Sequence, residues 1–171
     1  MNKRYIILGC IVTIFLAFLG ASAFMMKKKQ DFRRAIACIP GFCLPTVADS
    51  LLFCNTQLDK GKPVVVMYFH SECDFCQIKA QQLQQKSVNE WDIQWVMVSY
   101  AAKDSLNKFM ETYNLDHIAG LVVLMDPQLS LYDRLQVKGI PTCFIYNRQH
   151  QLVAIKQGST KLEQVIQLAS R

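Results

Sequence analysis

The stretch Lys62-Pro63-Val64-Val65-Val66-Met67-Tyr68-Phe69-His70-Ser71-Glu72-Cys73-Asp74-Phe75-Cys76 decides the fold. After a turn at its start, it continues with an uninterrupted apolar run, Val64–Phe69, which predicts a strand buried on both faces. No Gly or Pro interrupts Asp74–Ser87, so a helix is predicted there. The two cysteines therefore lie where a buried strand turns into a helix.

Working outward, the same alternation of strand and helix continues to the C-terminus. The further predicted elements are strands at Ile93–Tyr100, Leu121–Met125, Thr142–Tyr146 and Leu152–Lys156, and helices at Asp104–Tyr113, Leu129–Gln136 and Thr160–Ala169. This order predicts an α/β fold, with a mixed sheet flanked by helices. Two short apolar runs, Ile39–Leu44 and Leu51–Cys54, predict an N-terminal β-hairpin extension, or two short edge strands, before it.

The N-terminal segment differs from the rest of the chain. No residue from Tyr5 to Met26 is charged, and a helix of that length spans about 30 Å of hydrocarbon. We therefore predict a signal peptide or transmembrane anchor at residues 1–26, a basic juxtamembrane linker at 27–37 and a folded domain at 38–171.

Three arrangements of this segment stay open. A cleaved signal would use the small residues Ala21 to Ala23 as its cleavage site. A retained anchor would leave the domain outside, although the basic residues after the run favour the cytoplasmic side. The third arrangement has the domain facing the cytoplasm. We favour the first two, which place the domain on the extracytoplasmic, periplasmic side.

The net charge of +6 does not describe the folded part. Residues 35–171 carry 12 basic and 12 acidic side chains, so the basic excess belongs to the N-terminal segment. A nucleic-acid-binding domain would carry a basic patch, and no nucleic-acid partner is expected. No feature of the sequence signals an oligomer, so a monomer is predicted.

The chemistry is expected at the cysteine pair. A helix N-terminus presents unpaired N–H groups and the positive end of the helix dipole, which stabilise a thiolate. Only a thiolate attacks a disulfide, so Cys73 is predicted to be the nucleophile and Cys76 the resolving thiol. A zinc half-site and a purely structural disulfide are the alternatives. No second CxxC or spaced histidine pair follows to complete a zinc site.

Two motifs in this order resemble the thioredoxin superfamily. The quoted stretch is similar to its active-site strand and turn, and Gly139-Ile140-Pro141-Thr142 resembles its cis-proline loop. Further residues resemble the N-terminal extension of the TlpA-like branch, which contains exported or membrane-anchored thiol–disulfide oxidoreductases. They are Ile39-Pro40-Gly41-Phe42 and Leu44-Pro45, followed by Leu58 and Gly61-Lys62-Pro63. The resemblance covers residues 38–170.

This resemblance implies a thioredoxin-like fold and a specific chemistry. The chain would exchange electrons with protein thiols and disulfides through a redox-active disulfide, Cys73–Cys76, without a bound cofactor. An upstream redox partner would reset the pair. In the family, the residue before the loop proline offers its backbone to an extended substrate, which implies a substrate-binding loop of Ile140, Pro141 and Thr142. An ordinary turn is the alternative.

Two positions depart from the family pattern. Thioredoxins often carry a buried acid where this chain has Met67, and TlpA-like proteins often carry a glutamate where it has Lys79. Either acid would help to remove the proton of the resolving thiol. A Lys79 turned inward would offset Glu72 and Asp74, whose charges disfavour a thiolate at Cys73. We favour a solvated Lys79, and both directions of the reaction stay open.

Two neighbours of the pair are further candidates for tuning it. His70 would stabilise a thiolate or, as we favour, be a half-buried loop histidine. Phe75 would form an apolar rim for partner docking or cap the helix.

The remaining cysteines of the predicted domain lie outside the CxxC motif. Cys43 and Cys54 lie in the two arms of the predicted hairpin and would form either a cross-strand disulfide or two separately buried thiols, the interpretation we favour. Cys143 is expected to be a core thiol rather than a third redox thiol, and Cys38 to be free.

Two rival functions remain. A peroxiredoxin-like thiol peroxidase shares the style of the N-terminal opening, but that class carries a threonine where this chain has His70. A non-catalytic metal-binding protein or metallochaperone would use Cys73, Cys76 and His70 as ligands, and it lacks a fourth ligand nearby in the sequence.

Overall fold

The computed structural model describes residues 3–85 and 92–170 and divides the chain into two compact units, residues 1–37 and 38–171. The first unit is one helix, α1 (Lys3–Ala35). Several of its apolar side chains are exposed, among them Ile14 at 70 % and Phe18 at 68 %. Among the described residues, no helix combines the length and the hydropathy that crossing a membrane requires.

The second unit contains the sheet and its flanking helices. Its strands are β1 (Cys43–Pro45), β2 (Leu52–Cys54), β3 (Val64–Tyr68), β4 (Gln94–Ser99), β5 (Leu121–Met125), β6 (Thr142–Tyr146) and β7 (Leu152–Gln157). Its α-helices are α2 (Asp74–Gln85), α3 (Lys103–Tyr113), α4 (Ser130–Arg134) and α5 (Leu162–Ala169). Short 3₁₀ turns follow β2 and α3. The predicted elements are confirmed to within a few residues, and the predicted end of α2 at Ser87 lies outside the described residues.

The main sheet is mixed, as the sequence predicts. Its strand order is β5-β4-β3-β6-β7, and central β3 pairs in parallel with β4 and antiparallel with β6. Every residue of β3 is buried, because strands cover both its edges and side chains cover both its faces. This explains why β3 is an unbroken apolar run rather than an alternating one.

Helices α2, α3 and α5 contribute their apolar side chains to the same core as one face of the sheet. Met67 of β3 and Cys143 of β6 are direct partners in register, and both belong to this core. Cys76 and Ala80 of α2 pack into it as well. Full burial of each large apolar side chain stabilises the fold by about 1.5–3 kcal/mol, so the start of α2 is held firmly against the end of β3.

The N-terminal hairpin is confirmed, but the favoured state of its cysteines is wrong. Strands β1 and β2 place Cys43 directly opposite Cys54, with 4.0 Å between their Cα atoms, and a disulfide joins them. The turn sets this register, because Asp49 accepts hydrogen bonds from Thr46 and Leu51. The two thiols are therefore bonded rather than separately buried, and Cys43 is exposed.

Both edges of the main sheet receive contacts from the chain before β3. Thr46 forms a bridge with Leu124 of β5, and the Val47 N–H donates to the carbonyl of Val123 at 2.9 Å. Near β7, Cys38 forms a bridge with Gln151.

Candidate active site

The turn between β3 and α2 holds Cys73 at the start of the helix. The Cys73 N–H donates to the carbonyl of His70 at 3.1 Å, which closes the turn. The Cys73 carbonyl accepts the N–H groups of Cys76 at 2.8 Å and Gln77 at 3.0 Å, the first bonds of the helix. The sequence therefore places a sulfur at the positive end of the helix dipole.

The two sulfurs of the pair lie in different environments. Both are free thiols in the structure, with Cys73 half-buried and Cys76 without exposed surface. Burial, reinforced by the hydrogen bond and charge of Cys73, raises the pKa of the Cys76 thiol well above its ordinary value. Cys73 is therefore the sulfur of the pair with exposed surface, and Cys76 has none.

The predicted proline loop lies against this pair. The bond between Ile140 and Pro141 is cis, and the Ile140 carbonyl lies 3.9 Å from the Cys73 Sγ, close enough for the thiol to donate to it. Thr142 Oγ1 donates to the Gly139 carbonyl at 2.5 Å and ties the loop to β6. The structure thus brings together Cys73 and the loop that lies 67 residues further on.

Three of the predicted tuning residues, Glu72, Asp74 and His70, lie beside the pair, and the His70 backbone forms a hydrogen bond with the Cys76 thiol that opposes the rise in its pKa. Glu72 and Asp74 are exposed. His70 Nδ1 accepts the Glu72 N–H at 3.3 Å, and its ring lies 5.1 Å from the ring of Tyr100, centroid to centroid. The ring is therefore held by its own loop, which fits the favoured interpretation of a half-buried histidine. Phe75 is 52 % exposed at the rim.

Lys79 is not where the sequence interpretation put it. The favoured solvated lysine is wrong, because Lys79 is only 3 % exposed and its Nζ donates to the Thr160 carbonyl before α5. The helical period is the missed signal: Cys76, Lys79 and Leu83 are spaced three and four residues apart and share the buried face of α2. Burial lowers the pKa of Lys79, while the charges of Cys143, Glu163 and Cys76 raise it.

Cys143 lies in the core, as expected. It is 2 % exposed on β6, opposite Met67 of β3. Burial raises the pKa of Cys143 to about 11, against an opposing effect of the Lys79 charge. The thiol therefore stays protonated at neutral pH and behaves as a small apolar side chain.

A second buried feature near the site was missed from the sequence. The fully buried Asp126 accepts the Tyr68 hydroxyl at 2.7 Å and the N–H groups of Ser130, Leu131 and Tyr132. The Tyr132 ring then meets the Tyr68 ring edge-on at 5.2 Å. Asp126 follows a strand directly and precedes Pro127, a pattern that predicts only a turn.

The rival metal site gains no support from side-chain placement. Within the two described ranges, no group of three or more His, Cys, Asp or Glu side chains is arranged to hold a metal ion. The potential ligands Cys73, Cys76 and His70 are therefore not grouped as a metal site.

A buried strand that ends in a cysteine pair at a helix start, faced by a cis-proline loop, defines the thioredoxin-like class. The chain belongs to the AhpC/TSA family, whose family model matches residues 37–155. A search of the curated proteins finds none that matches this chain.

Solved structures share the fold at low sequence identity. A secreted Mycobacterium tuberculosis disulfide oxidoreductase homologous to E. coli DsbE is 18 % identical, with a TM-score of 0.65 over 80 % of this chain and 96 % of that chain. A putative thiol:disulfide interchange protein DsbE from Chlorobium tepidum is 22 % identical, with a TM-score of 0.62 over 77 % and 94 %. The peroxidoxin BcpB from M. tuberculosis is 16 % identical, with a TM-score of 0.65 over 77 % and 93 %. These likenesses confirm the predicted thioredoxin-like fold.

Proposed function

We propose that this chain is a thiol–disulfide oxidoreductase that exchanges electrons with protein thiols and disulfides through Cys73 and Cys76. One observation carries the proposal: the two sulfurs are unequal. Cys73 is half-buried at a helix start, beside the Ile140 carbonyl, and Cys76 is fully buried one turn behind it. A nucleophile that partners reach and a resolving thiol that they do not reach are what two-step exchange requires.

The exchange proceeds through a mixed disulfide. In the reducing direction, the Cys73 thiolate attacks one sulfur of a partner disulfide, a bond forms to that sulfur, and the other partner sulfur leaves as a thiolate that takes up a proton. Cys76 then loses its proton and attacks the Cys73 Sγ, and the first partner sulfur leaves in turn. The Cys73–Cys76 disulfide forms, and two electrons have passed to the partner. The oxidising direction is the reverse.

The cis-proline loop binds the partner in this proposal. Because Pro141 has no N–H, the loop offers no backbone donor at that position that would compete with the donors of an incoming chain. An extended partner peptide pairs with the backbone of Ile140, next to Cys73, with Thr142 completing the loop. The distance between the Cys73 Sγ and the Ile140 carbonyl supports this placement, because a partner sulfur bonded to Cys73 would lie within reach of the loop.

The remaining parts of the proposal follow from this chemistry. No bound cofactor is needed, because the electrons reside in the cysteine pair. An upstream redox partner returns the pair to its starting state, and the chain acts as a monomer, which the elution volume of the full-length chain tests.

We place the domain on the extracytoplasmic side, exported by a cleaved signal or held by an N-terminal anchor. The uncharged run from Tyr5 to Met26 and the exposed apolar side chains of α1 support this location. The Cys43–Cys54 disulfide supports it too, because such bonds persist in oxidising compartments. N-terminal sequencing of the mature chain after cell fractionation separates the two arrangements: a start at Phe24 indicates cleavage.

The deciding experiment is the redox equilibrium of the full-length chain with glutathione, followed by trapping of Cys73 and Cys76. We expect one reversible two-electron couple that Cys73→Ser abolishes and that the matched variant Cys38→Ser, at an exposed free cysteine, retains. A Cys73–Cys76 pair that does not exchange, or a Cys76 thiol that still oxidises reversibly in Cys73→Ser, would contradict the proposal.

A thiol peroxidase is the second candidate, favoured by the AhpC/TSA family match. There the Cys73 thiolate would attack a peroxide oxygen and become a sulfenic acid, releasing an alcohol or water. Cys76 would then condense with it to a disulfide and release water. Peroxide consumption with a thiol reductant tests this, and turnover faster than protein disulfide exchange would place the peroxidase first.

A further inference from the structure

Lys79 is an unusual residue to find behind a cysteine pair. It is 3 % exposed, and its Nζ reaches the Thr160 carbonyl rather than water. Burying an ammonium without compensating charge is unfavourable by several kcal/mol, so about that much interaction must offset it or the amine must lose its proton. The groups around Lys79 must therefore offset the cost of burying its charge.

Three titratable groups on three different elements act on Lys79. They are Cys76 on α2, Cys143 on β6 and the exposed carboxylate of Glu163 on α5. Two of the three are buried thiols, and Cys76 precedes Lys79 by one helical turn on the same face. Of these thiols, Cys76 is the one that must lose a proton during exchange.

We propose that Lys79, as an ammonium, stabilises the thiolate of the resolving thiol Cys76, so that the pair favours its dithiol form. The inference rests on the proposed exchange through Cys73 and Cys76. Lys79 acts through Cys76 and is a positioning residue for charge, not a second nucleophile.

Solvent carries the protons of this step. In the mixed disulfide, Cys76 loses its proton to solvent, and its thiolate, stabilised by the Lys79 ammonium, attacks the Cys73 Sγ. The Cys76–Cys73 bond forms, the bond from Cys73 to the partner breaks, and the partner sulfur leaves with the electron pair. The departing thiolate then takes up a proton from solvent.

The same charge biases the redox equilibrium. In the disulfide form the Lys79 ammonium faces two neutral sulfurs, whereas reduction creates a group that can carry the opposite charge. A thioredoxin-like pair whose reduced form is stabilised is a stronger oxidant. A lysine here therefore shifts the chain toward the oxidising direction, and a carboxylate would shift it the other way.

The test compares Lys79→Met with wild type and with Lys108→Met, which removes an exposed lysine from α3. Full-length chains carrying Cys38→Ser are equilibrated with glutathione and glutathione disulfide. We expect Lys79→Met to favour the disulfide form about tenfold more than wild type, which is about 30 mV. Lys79→Glu should move it further in that direction, and Lys108→Met should match wild type.

A second readout separates charge from structure. The glutathione adduct at Cys73 is formed, and its conversion to the Cys73–Cys76 disulfide is followed by acid quenching and intact-mass measurement across pH. Lys79→Met should slow conversion about tenfold at pH 7, with a deficit that shrinks as pH rises, since hydroxide then removes the Cys76 proton. A role limited to tying α2 to Thr160 would move neither the pH profile nor the equilibrium.

Equal equilibrium constants and parallel pH profiles for Lys79→Met and wild type would overturn the inference. Should Lys79→Glu fail to fold, Lys79→Met and Lys79→Gln, which bury no charge, still decide it. Failure of the proposed function is recognised separately, because wild type and Lys108→Met would then show no exchange at all.

Discussion

The chain contains two close cysteine pairs, and they differ in almost every respect. Cys43 and Cys54 lie on opposite strands of a hairpin and are joined by a disulfide. Cys73 and Cys76 lie on one turn of a helix start and are both thiols. Strand register places the first two cysteines opposite each other, and their bond closes a loop. The helix start places the second two at different depths, so that only Cys73 has exposed surface.

In these two pairs, the more accessible sulfurs are not the ones that we propose to be reactive. The bonded pair is at the surface, with Cys43 exposed, whereas the pair that we propose to be reactive contains a sulfur without exposed surface. The hairpin cysteines lie on paired strands. The buried Cys76 lies in the first turn of α2, and Lys79 follows it one turn later on the same face. What distinguishes the pairs is whether a thiolate can be formed and resolved, not how easily a sulfur is reached.

The largest expected effect is on exchange itself. Cys73→Ser removes the nucleophile, so disulfide exchange with a protein substrate should fall by about 10³-fold or more, as expected when a covalent nucleophile is lost. The double variant Cys43→Ser/Cys54→Ser should stay within about twofold of wild type, because its cysteines take no part in covalent catalysis. The rate of reduction of a protein disulfide measures both. Equal losses in the two variants would erase the distinction between the pairs.

Stability should respond in the opposite way. Removing the hairpin disulfide with Cys43→Ala/Cys54→Ala should lower the free energy of unfolding by about 2 kcal/mol, because a loop constraint on the unfolded chain is lost. Denaturant unfolding of the full-length chain measures it, with Cys38→Ser as the matched single change. An unchanged midpoint would show that the bond does not support the fold.

Alkaline pH should reveal the buried thiols, since disulfide-bonded sulfurs do not titrate. The pKa of Cys143 is raised to about 11 from 9.0, so between these values the unfolded chain binds fewer protons than the folded one and stability falls as pH rises. The loss from this thiol should be about 1 kcal/mol at pH 10 relative to pH 7.5. Unfolding curves at both pH values measure it, and Cys143→Ala should reduce the difference. A pH dependence unaffected by Cys143→Ala would contradict the assignment.

The smallest effect concerns the rim beside the reactive pair. Phe75 is 52 % exposed, and covering it with a partner would bury apolar surface. Phe75→Ala should lower kcat/KM for a protein disulfide about fourfold, which corresponds to about 0.8 kcal/mol. Exchange with glutathione, which is too small to cover the rim, should be unchanged. A parallel loss with both substrates would assign Phe75 to the helix rather than to docking.

Much of the fold could be predicted because local patterns decide it. The apolar run of β3 specifies a central strand, and the uninterrupted stretch after Cys73 specifies α2, so the position of the cysteine pair follows from the chain order. The cis-proline loop was predicted from a resemblance, and its approach to Cys73 is a tertiary contact that spacing alone does not give.

The features that were missed depend on packing. The state of Cys43 and Cys54 follows from strand register, which the Asp49 turn sets through its hydrogen bonds. The charge of Lys79 favours a place in solvent, but its helical spacing from Cys76 puts it on the buried face of α2. Asp126 resembled a turn residue because its partner Tyr68 lies 58 residues earlier in the chain, and no motif marks the N–H groups at the start of α4 as its other partners.

The chain from Cys38 to Val47 has a consequence for how this molecule meets other chains. It contacts one rim of the main sheet beside β7 through Cys38 and the other rim at β5 through Thr46 and Val47. Uncovered rims recruit extended strands from any neighbour and lead to aggregation. If extended partner peptides bind at Ile140, as proposed, pairing at the sheet edges would compete with that binding. The contacts of residues 38–47 with both edges would leave fewer edges to compete with the proline loop.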